Sequence, residues 1–192
     1  MKRRGFTLLE LMTVVALVGL MASMSLYGLQ QLTLNTRRTS AIRDVYMLVQ
    51  QARSEARARN QPVRLQVTPG ANGLDEVRWG RMPCADPWGR TCPTSACVNA
   101  AACGSGGCTC EATSLPVSLP QGVTMSNVTG LCFVGSTSVP RGPACDAATP
   151  ARTVLRFDLE GQTAPFLIVL EPLAGTPRLI DCGRAPKDPT CP

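Results

Sequence analysis

Between Glu10 and Arg37 the chain runs for 26 residues without a charge, and most of them are apolar. As a helix rising about 1.5 Å per residue, the run reaches roughly 39 Å, which predicts a bilayer-spanning segment over 6–30. Glu10 stands near its start and needs a reason, because a carboxylate at mid-membrane costs about 2.5–3.5 kcal/mol. Beyond the run, Ile42, Val45, Val49, Ala52 and Ala56 recur at steps of three and four, the mark of an amphipathic helix. The arginines between them lie largely off this stripe and read as a solvated face. Gln61-Pro62 ends the pattern, since the residue before a proline disfavours helix. One long helix is therefore expected over 6–60, roughly 80 Å long, half in lipid and half packed on a domain.

From residue 63 the period changes to two. Val63-Arg64-Leu65-Gln66-Val67 and Thr153-Val154-Leu155-Arg156-Phe157-Asp158-Leu159 alternate cleanly, as half-buried strands do. Further strands are expected at 75–79, 166–170 and 178–182, with a hairpin of 123–128 and 131–134 around Thr129-Gly130. Glu160-Gly161 marks a turn. Sixteen prolines and 17 glycines punctuate the chain. The fold class that follows is α+β: a long amino-terminal helix, its first half membrane-embedded, packed on an antiparallel β-sheet domain over 61–192.

The cysteines change this picture at one place. Of ten in the chain, Cys84, Cys92, Cys97, Cys103, Cys108 and Cys110 crowd into 84–110 among Gly, Pro, Ser and Ala. Such a segment cannot build a hydrophobic core. Disulfides would hold it, each contributing about 2–4 kcal/mol. Zinc fits worse, because the chain has no histidine and no C-x-x-C pair. We expect no metal and no cofactor. Ten cysteines allow about 900 pairings. Cys132–Cys145 and Cys182–Cys191 are two local candidates, each closing a short loop. Disulfides also belong to an oxidising compartment, which puts the carboxy-terminal domain outside the cytoplasm.

Charge adds little. The formal net charge is +6, yet from residue 60 onward cations and anions number 10 each. A general affinity for nucleic acid is not implied. Without histidine the usual triads and acid–base machinery are excluded, and no nucleophile elbow, phosphate loop or dinucleotide fingerprint occurs. Asp75 with Glu76, and Asp158 with Glu160, read as solvated surface near turns. Asn127-Val128-Thr129 fits a glycosylation sequon, to which we give little weight. The chain reads as no enzyme.

The start of the chain carries the strongest motif. Lys2, Arg3 and Arg4 precede Gly5-Phe6-Thr7-Leu8-Leu9-Glu10, a string that resembles the processing site of type IV pilins and pseudopilins. A secretory signal fits less well, because the run is longer than its apolar core and no clean cleavage site follows, and a plain membrane anchor would give no reason for Glu10. The resemblance implies that a prepilin peptidase removes residues 1–5, cuts between Gly5 and Phe6 and methylates Phe6. It implies that Glu10 meets the terminal ammonium of a neighbouring pilin or pseudopilin in a filament and sets the register. The implied location is the inner (plasma) membrane, single-pass, with the carboxy-terminal domain periplasmic, or the cell surface once assembled. Tyr27 stands where major pilins usually carry a proline, which points to a minor pilin or pseudopilin.

Two further stretches, 48–63 and 156–184, resemble the GspH/FimT subfamily. Cys182–Cys191 resembles the carboxy-terminal disulfide loop of many pilins. Some FimT-like pilins take up DNA through a basic Gly-Arg-x-Arg motif. Here Gly183-Arg184-Ala185-Pro186 keeps half of it, and Asp181 and Asp188 offset its charge; Arg178, Arg184 and Lys187 are the candidate DNA contacts, against the plainer reading that Arg184 merely follows a strand in a disulfide loop. A tip adhesin with the 84–110 insertion as contact surface is a third reading. The sequence does not separate a pilus from a type II secretion system.

Overall fold

The computed structural model describes residues 8–84, 108–126, 131–134, 140–141, 145, 153–172 and 175–192, with side chains at all of these except 22, 24–31 and 140–141. Helix α1 spans Leu8–Arg59. Glu10 in its first turn and Arg57 and Arg59 in its last complement the helix dipole. Asn60 ends it in the left-handed conformation (φ 51°), and the Gln61 amide donates back to the Ala56 carbonyl at 3.3 Å. Pro62 then forbids continuation.

The chain divides into two units, one up to Thr39 and one from Ser40 to Pro192. In the first, the helix carries Leu8, Leu9, Leu11, Met12, Val14, Val15, Leu17, Val18, Leu20 and Met21, all exposed. Among the described residues no helix is long and apolar enough to cross a membrane. From Leu32 the described positions turn polar, at Asn35, Thr36 and Arg37. This corrects the expected membrane-embedded half of the helix, the single-pass inner-membrane location and the assembly through a membrane-spanning helix.

The second unit is the head. Its strands are β1 (Val63–Pro69), β2 (Asp75–Arg81), β3 (Ala112–Thr113), β4 (Val117–Ser118), β5 (Val123–Ser126), β6 (Cys132–Phe133), β7 (Pro140–Arg141), β8 (Thr153–Leu159), β9 (Phe166–Leu170) and β10 (Pro177–Asp181). They form two antiparallel sheets, where the sequence suggested one. The first has the order β3-β2-β1-β6-β7, with β4 also on β2; the second has the order β10-β9-β8-β5. Among the described residues, 123–126 and 131–134 do not pair as the hairpin expected around Thr129-Gly130. Strand β5 pairs with β8, setting Val123 against Leu159 and Met125 against Phe157, while β6 pairs with β1 in the other sheet. Residues 127–130, with Thr129-Gly130 and the sequon, lie outside the described residues.

One core unites the head. Ile42, Val45, Leu48, Val49, Ala52 and Ala56 of α1 meet Val63, Leu65, Val77 and Phe133 of the first sheet and Leu155, Phe157, Ile168 and Leu170 of the second. The three- and four-residue stripe read from sequence is this buried face. The Tyr46 hydroxyl donates to the Pro177 carbonyl at 3.3 Å, which ties the helix to β10.

Each sheet also buries part of its second face. Strand β9 is buried along its whole length, because Leu167 and Val169 pack with Ile180 and Cys182 while Phe166, Ile168 and Leu170 face the main core. On the first sheet, Met82, Cys108, Cys132 and Cys145 form a separate buried cluster. Arg64 and Gln66, on the face of β1 away from the core, are buried there too.

Candidate functional site

Three places carry the candidate residues. At the amino terminus, Gly5 and Phe6 lie outside the described residues. Glu10 is exposed on α1, and its carbonyl accepts the Thr13 hydroxyl at 2.9 Å.

The second place is the disulfide framework. Cys132 bonds Cys145 across 13 residues, and Cys182 bonds Cys191 across nine. These are the two pairs that short loop closure suggested. Cys84, Cys108 and Cys110 are also disulfide-bonded, and no described cysteine is free. Cys92, Cys97 and Cys103 lie outside the described residues. The exit of the insertion is anchored to the head by polar contacts. Arg81 Nη1 reaches Glu55 Oε1 on α1 at 2.6 Å, its Nε lies 3.4 Å from Glu111 Oε2, and Gln61 Nε2 donates to Glu111 at 3.0 Å. Glu111 follows Cys110 directly, so this network joins the helix end, β2 and the insertion. Arg81 is only 16% exposed, so its pairing is less screened than a surface ion pair. Arg81→Met is expected to cost about 1 kcal/mol and to lower the thermal midpoint of the oxidised chain by a few degrees. An unchanged midpoint would show that the network carries no stability.

Burial of Arg64 follows from the same framework. It is 1% exposed, and its Nη2 donates to Cys145 Sγ at 3.8 Å. Desolvation lowers its pKa below the ordinary arginine value. Sequence alternation places Arg64 on the polar face of β1, and nothing in the local pattern says that this face is capped.

The third place is the carboxy-terminal loop. Asp181 Oδ1 accepts from the amides of Gly183 and Arg184, and Asp188 Oδ1 accepts from Thr190. Arg178 Nη2 donates to Asp188 Oδ2 at 2.8 Å, and Arg184 Nε lies 3.4 Å from Asp181 Oδ2. Lys187 is exposed. Arg178 lies on β10 and Arg184 and Lys187 in the loop that follows, and the two arginines turn toward Asp188 and Asp181. Phosphate binding here would compete with these pairs, which are solvent-exposed and individually weak. We expect no salt-sensitive binding of DNA by the oxidised chain in a filter-binding titration. Binding that Arg184→Ala abolishes would contradict this.

A shallow groove of about 400 Å³ was not foreseen. Asp44, Met47, Leu48 and Gln51 of α1 line one wall, and Trp79 and 114–117 the other. Met47 and Leu115 are exposed large apolar residues there. The helical stripe gives no sign of them, since both lie off it. The acidic pairs do not converge on a site. Asp158 is taken by its strand neighbour Arg156 at 2.8 Å, and the hydrogen bonds to its carboxylate, then its charge, raise the Arg156 pKa. Among the described residues no group of three or more Cys, Asp or Glu is placed to hold a metal ion.

The family model described as type II transport protein GspH matches residues 41–184, three quarters of the chain. The chain belongs to the GspH family. A second match, the prokaryotic N-terminal methylation motif, covers residues 1–26. No curated protein and no solved structure matches. GspH-family proteins are structural, non-catalytic components, and their interactions lie within a type II secretion or pilus assembly. The GspH match spans the last third of α1 and both sheets, and it closes inside the Cys182–Cys191 loop.

Proposed function

We propose that this GspH-family chain is a processed, non-catalytic subunit of a type II transport assembly, and that its disulfide-capped head is the part presented to other subunits. In this reading residues 1–5 are a leader removed by a prepilin peptidase between Gly5 and Phe6, with methylation of Phe6. Residues 6–60 form the helix, and 61–192 the head with its insertion at 84–110. Glu10 sets register by pairing with the amino terminus of a neighbouring subunit. The observation that carries the reading is the methylation motif and the GspH domain in one chain, in that order.

Deletion of the gene tests it. Export by the type II system, or pilus formation, is expected to stop, and the intact chain to restore it. A Gly5→Ala chain, left uncut, is expected not to. Export and piliation both unchanged in the deletion strain would overturn the proposal.

A further inference from the structure

The buried contact between Arg64 and the Cys132–Cys145 disulfide has a chemical consequence. Cys132 is fully buried and Cys145 nearly so, with Met82 Sδ 3.5 Å from Cys145 Sγ. Arg64 lies directly across from Cys132 in the β1–β6 register, and its Nη2 donates to Cys145 Sγ. A guanidinium is thus already placed where negative charge would appear if this bond opened with Cys145 as leaving group. A nearby cation stabilises a thiolate, and a better leaving thiolate favours opening. At Cys182–Cys191 the nearby Arg178 and Arg184 contact Asp188 and Asp181.

We propose that Cys132–Cys145 is the redox-responsive bond of the head, opened by a dithiol, with Arg64 holding the released Cys145 sulfur as a thiolate. One thiolate of the dithiol attacks Cys132 Sγ, and the electron pair of the broken S–S bond goes to Cys145. The second thiol of the reductant then closes its own ring disulfide and releases Cys132. The dithiol gives up two electrons and two protons. One proton ends on Cys132 and the other goes to solvent, because Cys145 stays ionised beside Arg64. Since Cys132 is buried, exchange requires the cap over the first sheet to lift, so Arg64 governs the position of equilibrium. Opening frees the second face of β1, with Arg64 and Gln66, from one of its covalent staples.

The test is a redox titration of the full chain in buffers of reduced and oxidised dithiothreitol. Acid quenching, thiol alkylation and peptide mass spectrometry then report each bond separately. Arg64→Met is expected to need about a tenfold higher ratio of reduced to oxidised dithiothreitol for half-opening of Cys132–Cys145. Arg64→Lys, which keeps the charge, should stay close to the wild type, and Cys182–Cys191 should not move in any variant. Equal midpoints in all three proteins, easier opening in Arg64→Met, or equal shifts of both bonds would overturn the proposal. A second reading does not depend on the variants folding. The wild-type chain, with Cys132–Cys145 open, should show ultraviolet thiolate absorbance at neutral pH, and its absence would also overturn the proposal.

Discussion

Replacing Phe157 with alanine is expected to destabilise the head by about 3–5 kcal/mol, a large share of the roughly 5–15 kcal/mol that a domain has. Phe157 is among the largest fully buried side chains. It sits at the middle of β8, between Met125 of β5 and Phe166 of β9 in register, and belongs to the core that also holds α1. Truncation removes transfer energy and leaves a cavity that three elements would have to close together. Thermal unfolding of the oxidised chain should show the midpoint lowered by roughly 6–20 °C. Leu115→Ala, at an 87% exposed position, should leave it unchanged. A Phe157→Ala midpoint within a degree of the parent would mean that the two sheets do not share this core.

The second large effect is expected from removing the Cys132–Cys145 bond by a double change to alanine. Loss of about 2–4 kcal/mol follows from freeing the unfolded chain. The folded state loses packing as well, because both sulfurs are buried with Met82 and Cys108. Arg64 loses its covering on one side, so water should enter a face of β1 that is closed in the oxidised chain. Hydrogen exchange at Arg64 and Gln66 should therefore rise with the loss of stability. The same double change at Cys182 and Cys191 should loosen the carboxy-terminal loop over Leu167, Val169 and Ile180 and leave β1 protected. Faster exchange in β1 from both double mutants would show that the two caps are not separate units.

These effects also mark what the sequence could and could not say. The buried stripe Ile42–Ala56, the end of α1 before Pro62 and the alternation of β1 and β8 were legible because helix period, proline chemistry and strand period are local signals. The Gly5–Glu10 motif was legible because its residues are consecutive. Pairing was not. The short strands at Val123–Ser126 and Cys132–Phe133 carry no mark of their partners, and proximity in sequence wrongly suggested a hairpin. The burial of Arg64 was hidden for a different reason. Alternation reports one apolar face, and a cap made of cysteines far along the chain turns the polar face into a second interior. Reading a membrane span from the uncharged length of the run overreached, since among the described residues no helix is long and apolar enough to cross a membrane. At Gly183-Arg184 the sequence already set Asp181 and Asp188 against the cations; which carboxylate each arginine meets was not legible, because it depends on side-chain placement.

The central claim is that this GspH-family chain works as a processed subunit among other subunits of a type II transport assembly. Its most direct test is recovery of the affinity-tagged full chain from cells after brief chemical cross-linking, followed by mass spectrometry of the chain and of what comes with it. The account predicts an amino terminus at a methylated Phe6 and cross-links from the head to other proteins that carry the same methylation motif. A chain that begins at Met1 and is cross-linked to none of them would contradict it.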